Sequence, residues 1–413
     1  MLNKIIALSL ASSVSLFALD INQAVQTAIQ NNYALKKQQY ILDESQARLD
    51  SSYSGYKPKV DLNYTYNNRD KLITSQIKED STLSATISYN LFNGFMDKYN
   101  IKAYQSLFDS SKFTYAASKQ DLILNVKKTY ISFLLKEKTT QTFQKALKLY
   151  EKQYFDSQNF FAQGLIAQNE LLEVEVQMLQ SKQNFQNAKS AQKIAKQSLE
   201  NILGTSISSS ETIEQLNANN ADIVLDATKI DNRSEIKSLA LVVKSYQSMT
   251  KGTQSSYYPK VNASLTYNSY GEDFTPSDRI SYPDGQSVGS VNISWNLYNG
   301  DKDNSSVVIN RKKANQTNMA LEDLKLQIKL QYENAKEELE VSKLNYTTAT
   351  KALETAKLNY EIVSNKVKEG ISSNKDLIDA NYLLTKAQQN YFDAYYNRYI
   401  AVATLQRVLE LEI

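Results

Sequence analysis

The chain has 413 residues with no cysteine and no histidine, and its 47 basic and 44 acidic side chains leave a formal net charge of +3. The missing cysteine excludes disulfides and thiolate metal sites, and the missing histidine removes the commonest general base, so a Ser-His hydrolase is ruled out. Because the charge is small and spread along the chain, nothing indicates a nucleic-acid surface, and we expect neither an enzyme nor a cofactor or metal site.

The first 18 residues have the pattern of an export signal. Lys4 precedes an apolar stretch from Ile5 to Phe17, and the small Ala18 follows it. This order predicts a signal peptide over residues 1–18, with a buried N-terminal helix as the alternative. Farther on, the longest unbroken apolar run is Leu239–Val243, whereas a membrane-spanning helix needs about 20 apolar residues. A membrane crossing would therefore have to be made by strands.

An internal duplication organises the rest of the chain. The segment YKPKVDLNYTYNN begins at Tyr56 and returns as YYPKVNASLTYNS from Tyr257, and NLFNG from Asn90 returns as NLYNG from Asn296. The first pair of segments is separated by 201 residues and the second pair by 206. The second copy therefore carries five extra residues between its paired strands, at a hairpin tip where insertions are best tolerated.

Each copy is predicted to run as helix, β-hairpin, very long helix, turn and helix. The predicted divisions are the signal peptide 1–18, a first repeat 19–204, an equatorial or linker segment 205–230 and a second repeat 231–413. The hairpins are predicted at 57–91 and 258–297, and the turns near residues 164 and 370.

The predicted strands each have one apolar and one polar face. The apolar faces consist of Val60, Leu62, Tyr64 and Tyr66; Leu83, Ala85, Ile87 and Tyr89; Val261, Ala263, Leu265 and Tyr267; and Val291, Ile293, Trp295 and Leu297. Such strands are typical of outer-membrane barrels, and a half-buried soluble sheet is the alternative. Four strands cannot close a barrel, and open edges in lipid would leave backbone groups unpaired, so several chains must assemble. Two chains would give a filled eight-stranded barrel, whereas three would give twelve strands that could enclose water.

The long helices carry a seven-residue repeat. In the second copy it runs through Leu339, Tyr346, Leu353, Tyr360 and Val367. A strict repeat of seven predicts a left-handed coiled coil. A helix of about 65 residues would rise about 95 Å at roughly 1.5 Å per residue. We therefore predict a supercoiled helical wall, and a coiled-coil structural or surface protein without a pore is the alternative.

The opening LDINQAVQTAIQNNYALKK, the two NL[FY]NG segments and the duplication together resemble the TolC family of outer-membrane efflux and secretion channels. The resemblance implies an α+β, mainly α protomer with a long coiled-coil helical tunnel, whose four strands contribute to a 12-stranded transmembrane β-barrel of a homotrimer. It implies location in the outer membrane, in contact with lipid and extending into the periplasm. A periplasmic adaptor and an inner-membrane transporter are the implied partners. The implied function is the exit duct of a tripartite system that exports drugs or other small molecules, with type I protein secretion as the alternative.

Two glycine turns are the candidate adaptor contacts. Gly164 and Leu165 lie in FAQGLIAQNELLE, and Gly370 and Ile371 lie in KEGISSNKDLIDA. Glycine supplies the positive φ that ends a helix, which is a structural role by itself. The resemblance implies in addition that these helix–turn–helix tips receive the adaptor.

Three carboxylates are the candidate lining of a periplasmic aperture. Asp376 and Asp379 are three residues apart and so share one helix face, and their spacing from the second turn is similar to that of the family's aperture aspartates. Glu170 holds the matching position in the first copy. Three chains would bring six aspartates into a ring that attracts cations. The alternative for Asp376 is a purely capping role, because Ser373-x-x-Asp376 has the spacing of a capping box.

Overall fold

A computed structural model of the protein describes residues 19–73, 76–208, 212–216, 227–277 and 283–411. The predicted signal peptide and half of the predicted equatorial segment lie outside these described residues. The chain divides into two compact units, one made of Met1–Lys37, Ser118–Asp231 and Gln327–Ile413, the other of Gln38–Ala117 and Asn232–Leu326. We call the first the helical unit and the second the sheet unit.

The described chain contains seven α-helices and four strands. In chain order the elements are α1 (Ile21–Asn31), α2 (Tyr33–Ser52), β1 (Lys59–Asn68), β2 (Glu79–Phe92), α3 (Met96–Ala162), α4 (Gln168–Leu203), α5 (Ser234–Thr253), β3 (Lys260–Gly271), β4 (Gly285–Ser294), α6 (Lys302–Lys368) and α7 (Asn374–Val408). Short 3-10 turns cover Tyr53–Tyr56, Ala227–Asn232 and Gln254–Tyr257. The predicted fold class, mainly helical with one four-stranded antiparallel sheet and an internal duplication, is confirmed.

None of the helices in the described ranges combines the length and the apolar character that a transmembrane helix requires.

The four strands of the sheet unit form one antiparallel sheet in the order β1-β2-β3-β4. Its apolar face is the one that the alternation of the sequence predicts. Val60 and Leu62 on β1 and Val291 and Ile293 on β4 are between 67% and 73% exposed. Because burying one such side chain stabilises a protein by roughly 1.5–3 kcal/mol, an apolar face left this open is suited to an apolar surrounding.

Strand β4 is shorter than the sequence pattern predicts. The alternation extends through Trp295 and Leu297, whereas β4 ends at Ser294. In the first copy the corresponding residues Tyr89–Phe92 belong to β2, because they continue past the end of β1 and pair with β3. Trp295 and Leu297 have no such strand beside them in the described chain, so the backbone leaves the sheet.

The predicted opening helix is divided in two at Asn32. Its side-chain Oδ1 accepts hydrogen bonds from the backbone N–H groups of Ala34 at 2.9 Å and Leu35 at 3.1 Å, which caps α2. Its Nδ2 donates to the carbonyl oxygen of Ile202 at 3.0 Å. Asparagine competes with the helix for backbone hydrogen bonds, and here it also joins α2 to the end of α4.

In the helical unit, α6 and α7 pack against each other through apolar faces. One cluster of buried residues between them consists of Tyr332, Ala335, Leu339, Ala401, Val402, Leu405, Val408 and Leu409. The predicted seven-residue repeat follows this face, since Leu339 and Leu353 are buried and Tyr346, Tyr360 and Val367 are half-buried. The seven-residue repeat thus marks the face of α6 that packs against α7.

The described part of the equatorial segment is tied to the helices by tyrosine hydroxyls. Tyr130 is fully buried, and its hydroxyl lies 2.8 Å from the carbonyl oxygen of Leu19 and 2.8 Å from that of Glu214. Tyr395 donates to the carbonyl oxygen of Leu216 at 3.0 Å, and Tyr396 donates to a side-chain oxygen of the same segment at 3.0 Å. Three tyrosines thus anchor this segment to the helices.

Candidate functional site

The first tip joins α3 to α4 through a glycine in the left-handed conformation. Gly164 has φ 71°. Its N–H donates to the carbonyl oxygen of Phe161 at 2.9 Å, and the N–H of Leu165 donates to that of Phe160 at 2.9 Å. These two bonds form the Schellman arrangement that closes helix C-termini. Leu165, directly after the glycine, is 65% exposed.

The second tip joins α6 to α7 in the same way. Gly370 has φ 73°. Its N–H donates to Val367 at 3.1 Å, and the N–H of Ile371 donates to Lys366 at 2.8 Å. A Cβ added to this glycine or to its counterpart in the first tip would meet no heavy atom within 4 Å. The backbone conformation alone therefore requires glycine, and Ile371 is left 69% exposed.

Asp376 forms the capping box that its spacing predicts. The N–H of Asp376 donates to Ser373 Oγ at 3.2 Å, while Asp376 Oδ2 accepts from the N–H and the hydroxyl of Ser373, both at 2.9 Å, and from the hydroxyl of Ser372 at 2.7 Å. These hydrogen bonds hold the pKa of the Asp376 carboxyl below its usual range, and the bond from Ser372 has the largest effect. The capping role is thus present, and the carboxylate stays ionised and exposed at neutral pH.

Asp379 lies one turn farther along α7 and is exposed. The hydroxyl of Tyr150 on α3 donates to the carbonyl oxygen of Ile378, the residue before Asp379, at 3.4 Å. Burial raises the pKa of Tyr150 to about 12, and the negative charge of Asp379 adds to the shift. Asp379 and Asp376 therefore share the start of α7, while Glu170 lies half-buried in the first turn of α4.

A buried amide pair behind the second tip was not predicted from the sequence. Gln153 of α3 donates from Nε2 to the carbonyl oxygen of Asn374 at 3.1 Å, and its Oε1 accepts from Nδ2 of Asn381 at 3.4 Å. Both amide side chains are almost completely buried. A buried polar group needs such partners, so the pair fixes the start of α7 against α3. The available signal was a glutamine next to the apolar seam of α3.

The exposed apolar face of the sheet and the two helical tips define a membrane-channel protein. The fold is shared with solved outer-membrane channels. The Campylobacter jejuni CmeC channel is 16% identical with a TM-score of 0.85, over 94% of this chain and 85% of that one. CusC, described for conformational changes that accompany transmembrane channel formation, is 14% identical with a TM-score of 0.83, over 95% and 93%. The open state of the Neisseria gonorrhoeae MtrE channel is 15% identical with a TM-score of 0.80, over 94% and 88%.

The sequence model of the outer membrane efflux protein family matches residues 24–205 and 228–410, one range in each half of the duplicated chain. The chain belongs to this family. It is an outer-membrane channel protein that extends into the periplasm, and it is not an enzyme. The predicted resemblance to TolC-like channels is confirmed. A comparison with curated protein sequences gives no match.

Proposed function

We propose that this protein is the exit duct of a tripartite efflux system for drugs or other small molecules, and that it works as a homotrimer with a periplasmic adaptor and an inner-membrane transporter. The observation that carries the proposal is the sheet. Each chain supplies four strands with one apolar face, one polar face and two open edges. Three such sheets joined edge to edge make a barrel of twelve strands that can separate lipid from water.

The polar face of the sheet supports an aqueous interior. Its inner strands carry hydrogen-bonded polar pairs, with Ser84 Oγ donating to Asn268 Oδ1 at 2.6 Å and the hydroxyls of Thr86 and Thr266 at 3.0 Å. Small polar side chains of this kind suit a water-filled lumen. The neutral hydroxyl and amide groups of the central strands favour a duct of broad selectivity whose substrate is chosen by the transporter. The carboxylate of Asp61, opposite Thr86 on the same face, adds a charge to this wall.

The tips are the proposed contacts of the adaptor. Each ends in one exposed aliphatic side chain, Leu165 or Ile371, directly after a rigid glycine turn. An exposed aliphatic group on a fixed turn is a suitable anchor for the apolar groove of a partner. Gly164 and Gly370 contribute by holding these side chains outward.

Asp376 and Asp379 are the proposed lining of the periplasmic aperture, with Glu170 beside them in the first copy. In a trimer the two aspartates would place six negative charges around the axis, and such a ring favours cations. The hydrogen bonds of Asp376 keep its carboxylate ionised and fixed in direction. Asp379 is exposed without being part of the cap.

The test combines transport with conductance. A strain without the gene should retain more drug and recover when the wild-type gene is returned. The double change Leu165→Asp and Ile371→Asp should fail to restore export while the purified protein still conducts in planar bilayers. The matched control is Leu358→Asp, an exposed leucine on α6. Unchanged drug retention with the loss of a secreted protein would instead assign the duct to secretion, and a purified protein that does not conduct would overturn the channel.

The aperture is tested in the same bilayers. Reversal of charge at Asp376 and Asp379 to lysine should alter single-channel conductance and reduce the preference for cations. The control reverses Glu340 and Glu354, two exposed carboxylates of α6 that pair with lysines of their own helix. If both double variants conduct like the wild type, the two aspartates do not line the aperture.

A further inference from the structure

The two outer strands of the sheet have free edges. The strand order is β1-β2-β3-β4, so β1 and β4 each pair on one side only. An extended, partly apolar edge is a template for pairing with another strand. The duplication makes it possible to ask which strand, and in which register.

Within the chain, the residue correspondence between the two copies predicts which residues pair in the second hairpin from those that pair in the first. Residues of β1 correspond to residues of β3 at a separation of 201, and residues of β2 correspond to those of β4 at a separation of 206. Lys59 pairs with Ser88, and their counterparts Lys260 and Ser294 pair with each other. All ten pairs of the first hairpin predict the ten observed pairs of the second in this way.

The same transfer applies to the pairing between the two copies. In the chain, β2 pairs with β3 and places Thr86 opposite Thr266. The counterpart of Thr86 is Asn292 on β4, and that of Thr266 is Thr65 on β1. We infer that β4 pairs antiparallel with β1 of a second copy of this chain, with Asn292 opposite Thr65 of the partner subunit. This seam rests on the proposed oligomeric duct and specifies how its subunits join.

The side chains across the inferred seam match on both faces. On the apolar face the opposed residues are Val291 and Tyr66, Ile293 and Tyr64, and Trp295 and Leu62, the second of each pair belonging to the partner subunit. On the polar face they are Ser290 and Asn67, Asn292 and Thr65, and Ser294 and Asn63, in the same order. Cross-strand pairs of these kinds stabilise sheets. A shift by one residue would put every apolar side chain opposite a position of the wrong face.

The residues that connect the strands to the long helices are complementary in charge across the inferred seam. In the chain, the ring of Phe95 lies edge-on to that of Tyr258, with centroids 5.8 Å apart. The counterpart of Phe95 is Asp301, which shares its left-handed conformation with φ 66°, and the counterpart of Tyr258 is Lys57. An aromatic contact within the chain thus corresponds to an acid and a base across the seam. Both Asp301 and Lys57 are exposed in the single chain.

Two differences between the copies are explained by a missing neighbour. A Cβ on Gly94 would collide with the backbone of Ser255, whereas one on Gly300 would meet nothing within 4 Å. The counterpart of Ser255 is Ser54, which the seam supplies from the partner subunit. Likewise β2 continues to Phe92 alongside β3, whereas β4 stops at Ser294, where its only neighbour ends. In the seam, residues 295–298 gain the strand partner that they lack.

Cysteine crosslinking tests the register, because the chain has no cysteine of its own. Thr65 and Asn292 lie on opposite edges of one sheet, about 14 Å apart at ~4.8 Å per strand, so a disulfide between them must join two subunits. We expect Thr65→Cys with Asn292→Cys to form covalent oligomers in oxidised outer membranes. The matched controls are Thr65→Cys with Ser290→Cys and Thr65→Cys with Ser294→Cys, in which the partners are two residues out of register. Because diagonal neighbours lie roughly 7–8 Å apart and a disulfide needs Cβ atoms about 4 Å apart, these should crosslink about tenfold less.

The pair Thr86→Cys and Thr266→Cys calibrates the oxidation, since it should close within one chain. More crosslinking in a shifted pair than in the opposed pair would overturn the register and leave the oligomeric duct standing. The absence of any seam crosslink in a protein that is trimeric in detergent and conducts would overturn the seam alone. A monomer without conductance would overturn both the seam and the proposed function.

Discussion

The two helix–turn–helix tips end one helix in the same way and begin the next one differently. Gly164 and Gly370 have nearly the same φ, and the hydrogen bonds that follow them match one for one. The helix after the first turn starts from Ala167, which has no side-chain acceptor, whereas the helix after the second starts from Ser373 within a complete capping box. The duplication thus kept the turn that presents an exposed aliphatic side chain, while only the second copy fixes a carboxylate at the helix start.

The turns should respond equally to loss of glycine, and this is the largest expected effect. An L-residue in the left-handed conformation costs about 1–2 kcal/mol, and the open space around both glycines adds no clash. Gly164→Ala and Gly370→Ala should each lower the free energy of local opening at their own tip by that amount, which hydrogen exchange measures as faster exchange. Gly252→Ala, in helix α5, is the control and should lower exchange there, because alanine is the better helix former. Unequal effects at the two tips would contradict the equivalence of the turns.

Substitutions at the two N-cap positions should reverse the difference in helix capping between the tips. Ser373→Ala removes the cap and should cost about 1 kcal/mol of local stability at the start of α7. Ala167→Ser creates the sequence Ser-x-x-Glu with Glu170, which is a capping box, and should stabilise the start of α4 by roughly 0.5–1 kcal/mol. Local hydrogen exchange measures both. If Ala167→Ser leaves α4 unchanged, another feature of that turn prevents capping.

The smallest effect is a dependence on pH that only the second tip should show. Because the pKa of Asp376 is depressed below the ordinary 3.8, its cap is fully formed above that pH and is lost as the pH falls through the lower value. A spin label at Ile371→Cys should become more mobile below about pH 3.8. In Ser373→Ala the transition should weaken. A label at Leu165→Cys reports on the tip without a serine cap and should lack this transition.

Much of the fold could be predicted from local patterns. Alternation in Val60, Leu62 and Tyr64 indicates a strand whatever surrounds it, and Gly164 and Gly370 interrupt helices for a backbone reason that needs no tertiary contact. The end of β4 was predicted wrongly, because whether Trp295 belongs to a strand depends on a neighbour that alternation does not describe. The division of the first helix at Asn32 comes from a local cap on Ala34 and Leu35, whereas the bond from Asn32 to a carbonyl oxygen of α4 depends on packing that is distant in sequence.

The candidate site was predictable only in part. The capping box of Asp376 follows from its spacing to Ser373, since both partners are local. The amide pair of Gln153 and Asn381 depends on the packing of two helices far apart in sequence, and the tyrosine contacts of the equatorial segment depend on a loop with no periodic pattern. The roles of Asp379 and Glu170 at an aperture are properties of an assembly, so a single chain leaves them as predictions.

The two longest helices have the same length, which constrains how the protein can be altered. Helices α3 and α6 each contain 67 residues, and the five extra residues of the second copy lie in its hairpin instead. Removal of seven residues would shorten a helix by about 10.5 Å and preserve the phase of its seam, whereas removal of five would turn the seam away from its neighbours. A shorter duct, built to span a thinner periplasm, would therefore need the same multiple of seven removed from both copies.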